Sequence, residues 1–196
     1  EGAVVPEEDA RGELTDFPTV DFVLGSRGMV GGRVIVGGED ITVKGGSPNP
    51  AGLSKSVYAE QLELKCKVPL LSLHEGGGGS VGGTGQEKNR RPLGEPVFST
   101  SRFVPLAETL GHVPVATAAL GPVAGLPAAR LVASHFSVMT DHVAVLIARP
   151  QVAKRALGHN ITNQDVGPPP VPLKHHALDH LASTEEDTLN PIARFL

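Results

Sequence analysis

Val113-Pro114-Val115-Ala116-Thr117-Ala118-Ala119-Leu120-Gly121-Pro122-Val123-Ala124-Gly125 carries no charge from end to end. Val113 to Leu120 is apolar enough for a strand buried on both faces. Gly121 to Gly125 interrupts it, and Ala128 to Ala133 reads as a helix. A buried strand that passes through glycine into a helix is the first half of a βαβ crossover. The uncharged run ends at Ala129 and is studded with Pro114, Gly121, Pro122, Gly125 and Pro127. It is too short and too broken for a membrane helix.

The same rhythm extends in both directions. Downstream, Phe136 to Met139 and Val143 to Ile147 read as strands, and Pro150 opens a helix over Gln151 to Leu157 that Gly158 closes. Upstream, part of Ser99 to Leu110 reads as a helix, with Pro105 in its first turn and Gly111 as a left-handed cap. Pro69 introduces the buried strand Leu70 to Leu73, which runs into His74-Glu75-Gly76-Gly77-Gly78-Gly79-Ser80. Ser54 to Lys65 is helical: Val57, Tyr58, Gln61 and Leu62 share a face, and Glu63 is spaced to pair with Lys67. Before it, Arg33 to Val36 and Ile41 to Val43 read as a hairpin about Gly37-Gly38-Glu39-Asp40. The pattern predicts an α/β fold with a largely parallel sheet.

The ends are less regular. Residues 1–24 read as an N-terminal arm and 25–196 as the domain. Val166 to Pro172 cannot be a central strand, because its prolines lack ladder donors. Ser183 and Glu186 have capping-box spacing before a last helix. Pro191 lies inside that helix at a cost of about 3 kcal/mol, which predicts a kinked or short element.

Composition narrows the function. The chain has 196 residues with 24 Gly and 17 Pro, no Trp and one Tyr, so its core is built from Val, Leu, Ile and Ala. A net charge of −4 excludes the basic surplus of a nucleic-acid binder. Lys88-Asn89-Arg90-Arg91 is a short solvated run. The single cysteine, Cys66, excludes an internal disulfide and points to a reducing compartment, and the N-terminus has no signal-peptide pattern.

Three glycine-rich strand-to-helix junctions are the candidate working parts: Lys44-Gly45-Gly46-Ser47, Gly76 to Gly79, and Gly121 to Gly125. Glycine lets the backbone approach a ligand and turn its N–H groups inward, and a helix N-terminus adds positive potential. Such a turn suits a phosphate or the oxyanion of a thioester. None is followed by the Gly-Lys-Ser/Thr of a nucleotide-hydrolysing loop, and none matches G-x-G-x-x-G. His176 and His180 are spaced for one helical face but have no third ligand in spacing. Ser80 lacks a G-x-S-x-G elbow, and Ser134-His135 places its side chains apart. Cys66 reads as a helix-end thiol.

In order and spacing these segments resemble the carboxyltransferase β subunits of biotin-dependent acyl-CoA carboxylases, the propionyl-CoA type above all. The resemblance rests on Gly37 to Ser47, Lys67 to Ser80, Leu110 to Gly125 and Arg149 to Gly158. It implies the crotonase-like spiral of ββα units and carboxyl transfer from carboxybiotin to the α carbon of an acyl-CoA. It makes Gly125 and Leu126 the oxyanion donors, with Gly45, Gly46, Ser47, Gly77, Gly78 and Ala124 against the acyl-CoA. Leu126 stands where the family has a second glycine, which predicts crowding or backbone strain there. The implied partners are a biotin carboxylase and biotin carrier subunit, a C-terminal carboxyltransferase half or second subunit, and further copies of the chain. No nucleic acid or membrane is implied, and the implied compartment is the bacterial cytoplasm or mitochondrial matrix. The alternative is a non-catalytic crotonase-fold subunit with an assembly role.

Overall fold

A computed structural model describes residues 7–8, 11, 14–16, 22–29, 32–46, 50–76, 103–146, 154, 158, 162, 174 and 176–196. Two short strands, β1 (Glu7–Glu8) and β2 (Leu14–Asp16), pair with each other. The main sheet has seven strands. Its edge is the antiparallel hairpin of β3 (Phe22–Met29) and β4 (Gly32–Glu39). The hairpin therefore forms one strand earlier than the sequence predicts. Ile41 to Val43 is a turn, because the Asp40 carboxylate accepts from the Thr42 amide at 2.9 Å and holds the chain in an Asx turn.

From β4 onward the sheet is parallel and sequential. Helix α1 (Pro50–Cys66) leads to β5 (Leu70–Gly76), and α2 (Phe103–His112) leads to β6 (Val115–Ala124). Helix α3 (Leu126–Ala133) then leads to β7 (Phe136–Thr140), which pairs with β9 (His180–Ala182). The short β8 (Val145–Leu146) pairs with the far end of β6 at Val123 and Ala124. From β4 to β7 each parallel neighbour is the next strand along the chain, and β9 follows β7 while β8 lies off this path, so the sheet advances in one direction like a spiral.

Both faces of β6 are covered, as its uncharged sequence requires. Ala116 and Ala118 pack with Val34, Leu71, Val138 and Ile192 on one face. Ala119 and Val123 pack with Ala128, Leu131 and Met139 under α3 on the other. Ile35, Ala59, Leu70 and Val115 close the layer under α1. Alanine at these positions lets helices approach the strand closely.

The last helix, α4 (Glu185–Phe195), has Thr184 as its cap, one residue later than the predicted Ser183. The Asp187 amide donates to the Thr184 hydroxyl at 3.1 Å. The helix runs on through Pro191 to Phe195, held by buried Thr188 and Ile192 and by stacking of Phe195 on Phe136 at 5.1 Å. Gly111 is not a cap: it lies inside α2, without a positive φ. Gly158 has φ 78° and its amide donates to Lys154 at 2.9 Å, which is the closing geometry predicted for that glycine. Val166 to Pro172 and Lys88 to Arg91 lie outside the described residues. Among the described residues no helix is long and apolar enough to cross a membrane.

Candidate functional site

The carboxyl ends of β4, β5 and β6 lie side by side, and the chain leaves each of them through glycine. After β4, a 3-10 turn spans Lys44–Gly46, with Gly45 and Gly46 both at φ 66°. β5 ends at Gly76, whose φ is 91°. A side-chain carbon on Gly76 would stand 2.6 Å from the Gly45 carbonyl oxygen, so the first two turns are packed backbone to backbone. Gly76 is also in register with Val123 of β6, next to Ala124. In parallel α/β sheets, this carboxyl edge is where ligands gather.

The third turn is the most developed. Gly125 caps α3 with φ 69° and ψ −131°, a combination open in practice only to glycine. Its amide points at the Leu146 carbonyl at 3.4 Å, a long contact, and its carbonyl accepts from Ala129 at 3.0 Å. Leu126 follows as the first helical residue with no positive φ, so the predicted strain at that position is absent. Gly125 absorbs the backbone turn on its behalf. The helix has no side-chain cap, and Pro127 removes one of its orphan donors. The amides of Leu126 and Ala128 are therefore left facing outward from the N-terminus, where the helix potential is positive. This arrangement suits one small negative oxygen.

Gly121 belongs to β6 itself and not to the turn. A side-chain carbon there would lie 2.5 Å from Cγ of Glu75, so this glycine makes room for that side chain. Burial raises the Glu75 pKa, and the nearby carboxylates of Glu185 and Asp40 add to the shift. Glu75 and Glu39 border a 370 Å³ groove on the α4 side of the sheet, whose other walls include Val36, Leu73 and Leu120.

Beneath the turns, on the α1–α3 side, lies a set of buried charges absent from the sequence reading. His74 Nδ1 meets Glu39 Oε2 at 2.8 Å, with both side chains almost wholly buried. Burial alone would raise the Glu39 pKa, but the charge and hydrogen bond of His74 outweigh it and the net shift is downward. Arg130 Nη2 donates to Glu60 Oε1 at 2.7 Å, again out of solvent. Burial raises the Glu60 pKa against the pull of Arg130. Glu63 is fully buried with no hydrogen-bond partner for either oxygen among the described residues. Its pKa is pushed up to about 8, chiefly by burial and further by Glu60, against the smaller opposing pull of the neighbouring Thr109 hydroxyl, which stands outside good hydrogen-bond geometry, and of Arg130. The expected Glu63–Lys67 pair is not made; Lys67 is exposed and turns away at φ 53°. The signal for burial was weak: a glutamate four residues before a lysine on a helix ordinarily faces water.

Of the predicted site residues, the structure brings together Gly45, Gly46, Ala124, Gly125 and Leu126 along one sheet edge. Ser47, Gly77 and Gly78 lie outside the described residues, as does Ser80. His176 sits in a turn at φ 54° and His180 in β9, so the two share no helix. Among the described residues there is no cluster of His, Cys, Asp or Glu fit to hold a metal. Cys66 is exposed at the end of α1.

Comparison with known proteins follows from this geometry. The family model for the carboxyl transferase domain matches residues 5–195. The propionyl-CoA carboxylase beta chain of Saccharopolyspora erythraea is 28% identical over 95% of this chain and 34% of its own length. The chain thus spans about a third of the length of the curated relatives it matches. A single-chain, multi-domain long-chain acyl-CoA carboxylase superimposes with a TM-score of 0.76 at 20% identity, over 90% of this chain and 17% of that one. The transcarboxylase 12S structure, a hexamer solved with methylmalonyl-CoA, gives 0.67 at 19% identity over 89% and 33%. At such identities the likeness shows the fold: it is the α/β fold that the crossover rhythm predicts, and the crotonase-like form of it that the family resemblance implies.

Proposed function

The chain belongs to the carboxyl transferase domain family, and we propose on that premise that it carries the acyl-CoA-binding half of a biotin-dependent acyl-CoA carboxyltransferase. Its task in this reading is to hold a thioester while its α carbon loses a proton and takes up CO2. The observation that carries the proposal is the N-terminus of α3. There the Leu126 amide has no hydrogen-bond partner among the described residues and stands beside Ala124 and Gly125, at the carboxyl end of β6. A thioester oxygen gains negative charge as the α proton leaves, and a pre-aimed amide at a helix N-terminus stabilises that charge. The Gly125 amide is the second donor, its 3.4 Å contact with Leu146 being weak enough to exchange.

Residues 25–196 form the domain in this proposal, with 1–24 as an arm. Gly45, Gly46, Ser47, Gly77, Gly78 and Ala124 line the acyl-CoA path. Carboxybiotin supplies the CO2. The family resemblance assigns the biotin to a partner half. The proposed partners are a biotin carboxylase and carrier subunit, the C-terminal carboxyltransferase half or a second subunit, and further copies of this chain. An exposed free cysteine fits a reducing compartment, the bacterial cytoplasm or mitochondrial matrix. The alternative of a non-catalytic subunit drew on the altered turn, and Leu126 sits there without backbone strain.

Calorimetric titration with acetyl-CoA and propionyl-CoA tests the reading. Saturable binding below millimolar concentration is expected. No heat of binding at millimolar ligand overturns it.

A further inference from the structure

The two buried ion pairs are not separate features. His74, Glu60 and Arg130 line one small cavity of about 20 Å³, walled also by Ser72, Thr117 and Leu106. His74 and Glu60 expose 2% and 3% of their side chains and Arg130 exposes 9%. Each brings one atom that has no hydrogen-bond partner among the described residues: Nε2 of His74, Oε2 of Glu60 and Nε of Arg130. A buried polar atom left unpaired is costly, and three residues lining one cavity each carry one, which calls for a common partner.

The chemistry of the three atoms selects that partner. Nε of Arg130 only donates, Oε2 of Glu60 only accepts, and Nε2 of His74, whose Nδ1 donates to Glu39, accepts when the ring is neutral and donates when it is charged. A cation is repelled by Arg130 and an anion by Glu60, Glu63 and Glu39. A molecule that donates and accepts at once, carries no charge and occupies a volume of this size is water. We infer that one buried water joins His74, Glu60 and Arg130, and that this joint holds the three glycine turns in register.

The second half of the inference follows from where these residues sit in the chain. Glu39, bonded to His74, is the last residue of β4, before the Gly45–Gly46 turn. His74 stands two residues before Gly76 in β5. Arg130 is in the last turn of the short helix α3, which Gly125 caps and Leu126 begins. The hydrogen-bonded path Glu39–His74–water–Arg130–Glu60 therefore ties the element behind each turn to the others, with Glu60 anchoring it to α1. His74 and Arg130 are positioning residues: they act on a bound thioester through the backbone of the turns. This positioning role rests on the acyl-CoA reading; the water does not.

The test is made on the whole chain. With ¹⁵N-labelled histidine, a nuclear Overhauser effect from the His74 ring to a long-lived water is expected, and its absence overturns the water. Ser72→Val exchanges the hydroxyl on the cavity wall for two methyl groups and leaves both ion pairs intact. It is expected to abolish that signal, preserve the circular dichroism spectrum and raise the Kd for acetyl-CoA at least fivefold. A lost signal with unchanged Kd overturns the positioning role. Arg130→Lys gives the same reading should Ser72→Val fail to fold, since it keeps the charge opposite Glu60 and removes the Nε donor. If the wild-type chain shows the water but binds no acetyl-CoA, the proposed function falls and the water site stands.

Discussion

Gly76 and Gly45 are in backbone contact: a side-chain carbon on Gly76 would come within 2.6 Å of the Gly45 carbonyl oxygen. The turns after two neighbouring parallel strands are thus one packed unit, and the absence of a side chain at Gly76 is what lets them meet. Gly76→Ala meets both this clash and a φ of 91°. It is expected to cost about 3 kcal/mol or more, as a lowered midpoint in urea unfolding. Gly111→Ala is the control. That glycine lies in α2 with open space around it, and alanine there is expected to stabilise by about 1 kcal/mol.

Glu63 gives the folded state a pH signature. Its pKa is pushed up to about 8 in the folded chain, above the ordinary 4.5. Between those values the folded state holds a proton that the unfolded state releases, so stability is complete below the ordinary carboxyl range and falls as pH rises towards 8. Glu63→Gln removes that proton exchange. The variant is expected to be more stable than the wild type by a few kcal/mol above pH 8, and to lose the slope in a pH series of denaturant unfolding. Glu39 acts in the opposite sense: its lowered pKa adds stability at neutral pH that is lost as the solution becomes acidic.

The Arg130–Glu60 pair is predicted to be costly to break and cheap to replace. Arg130→Met leaves Glu60 buried beside Glu63 with no positive partner, and a loss of about 3–5 kcal/mol is expected. Adding Glu60→Leu to Arg130→Met removes the stranded charge. The double variant is expected to be more stable than Arg130→Met alone, and equal or lower stability in urea unfolding would contradict the pairing.

Under the proposed function, substitutions at Leu126 separate the role of the amide from that of the side chain. Leu126→Pro deletes the N–H at the first helical position, where proline's φ is already suited to the helix. Leu126→Ala keeps the N–H and shortens the side chain. Carboxyl transfer in the reconstituted complex is expected to fall by about 10²–10³ in kcat for Leu126→Pro. Leu126→Ala is expected to retain kcat to within about tenfold. Equal effects of the two would refute the oxyanion assignment. Proline at Gly125 is a poorer probe, since φ 69° excludes it and the whole turn would be lost.

The sequence was most readable where apolar runs meet glycine. The path from β6 through Gly125 into α3 follows directly from an uncharged run, a breaker and a helix-forming segment. β3 was missed because Gly25, Ser26, Arg27 and Gly28 face solvent at a sheet edge, where nothing forces an apolar alternation. β9 was missed because three residues beginning with His180 become a strand only through register with β7. The buried charges were hidden for a different reason. Glu60, Glu63 and Arg130 have the sequence appearance of solvated helix faces, and only the meeting of α1, α3 and β5 takes them out of water. The glycine turns were legible as candidates, whereas their contact through Gly45 and Gly76 belongs to three dimensions.

Gly125 also sets a limit of handedness. Reflected through a mirror, its φ 69° and ψ −131° become the ordinary extended conformation of an L-amino acid. A D-alanine introduced there by chemical ligation would fit the turn that L-alanine strains, and would stiffen the unfolded chain as well. Every side chain that translation can place at this position has the wrong chirality. The turn that opens α3 is thus reachable, in a genetically encoded protein, through the one residue that has no hand at all.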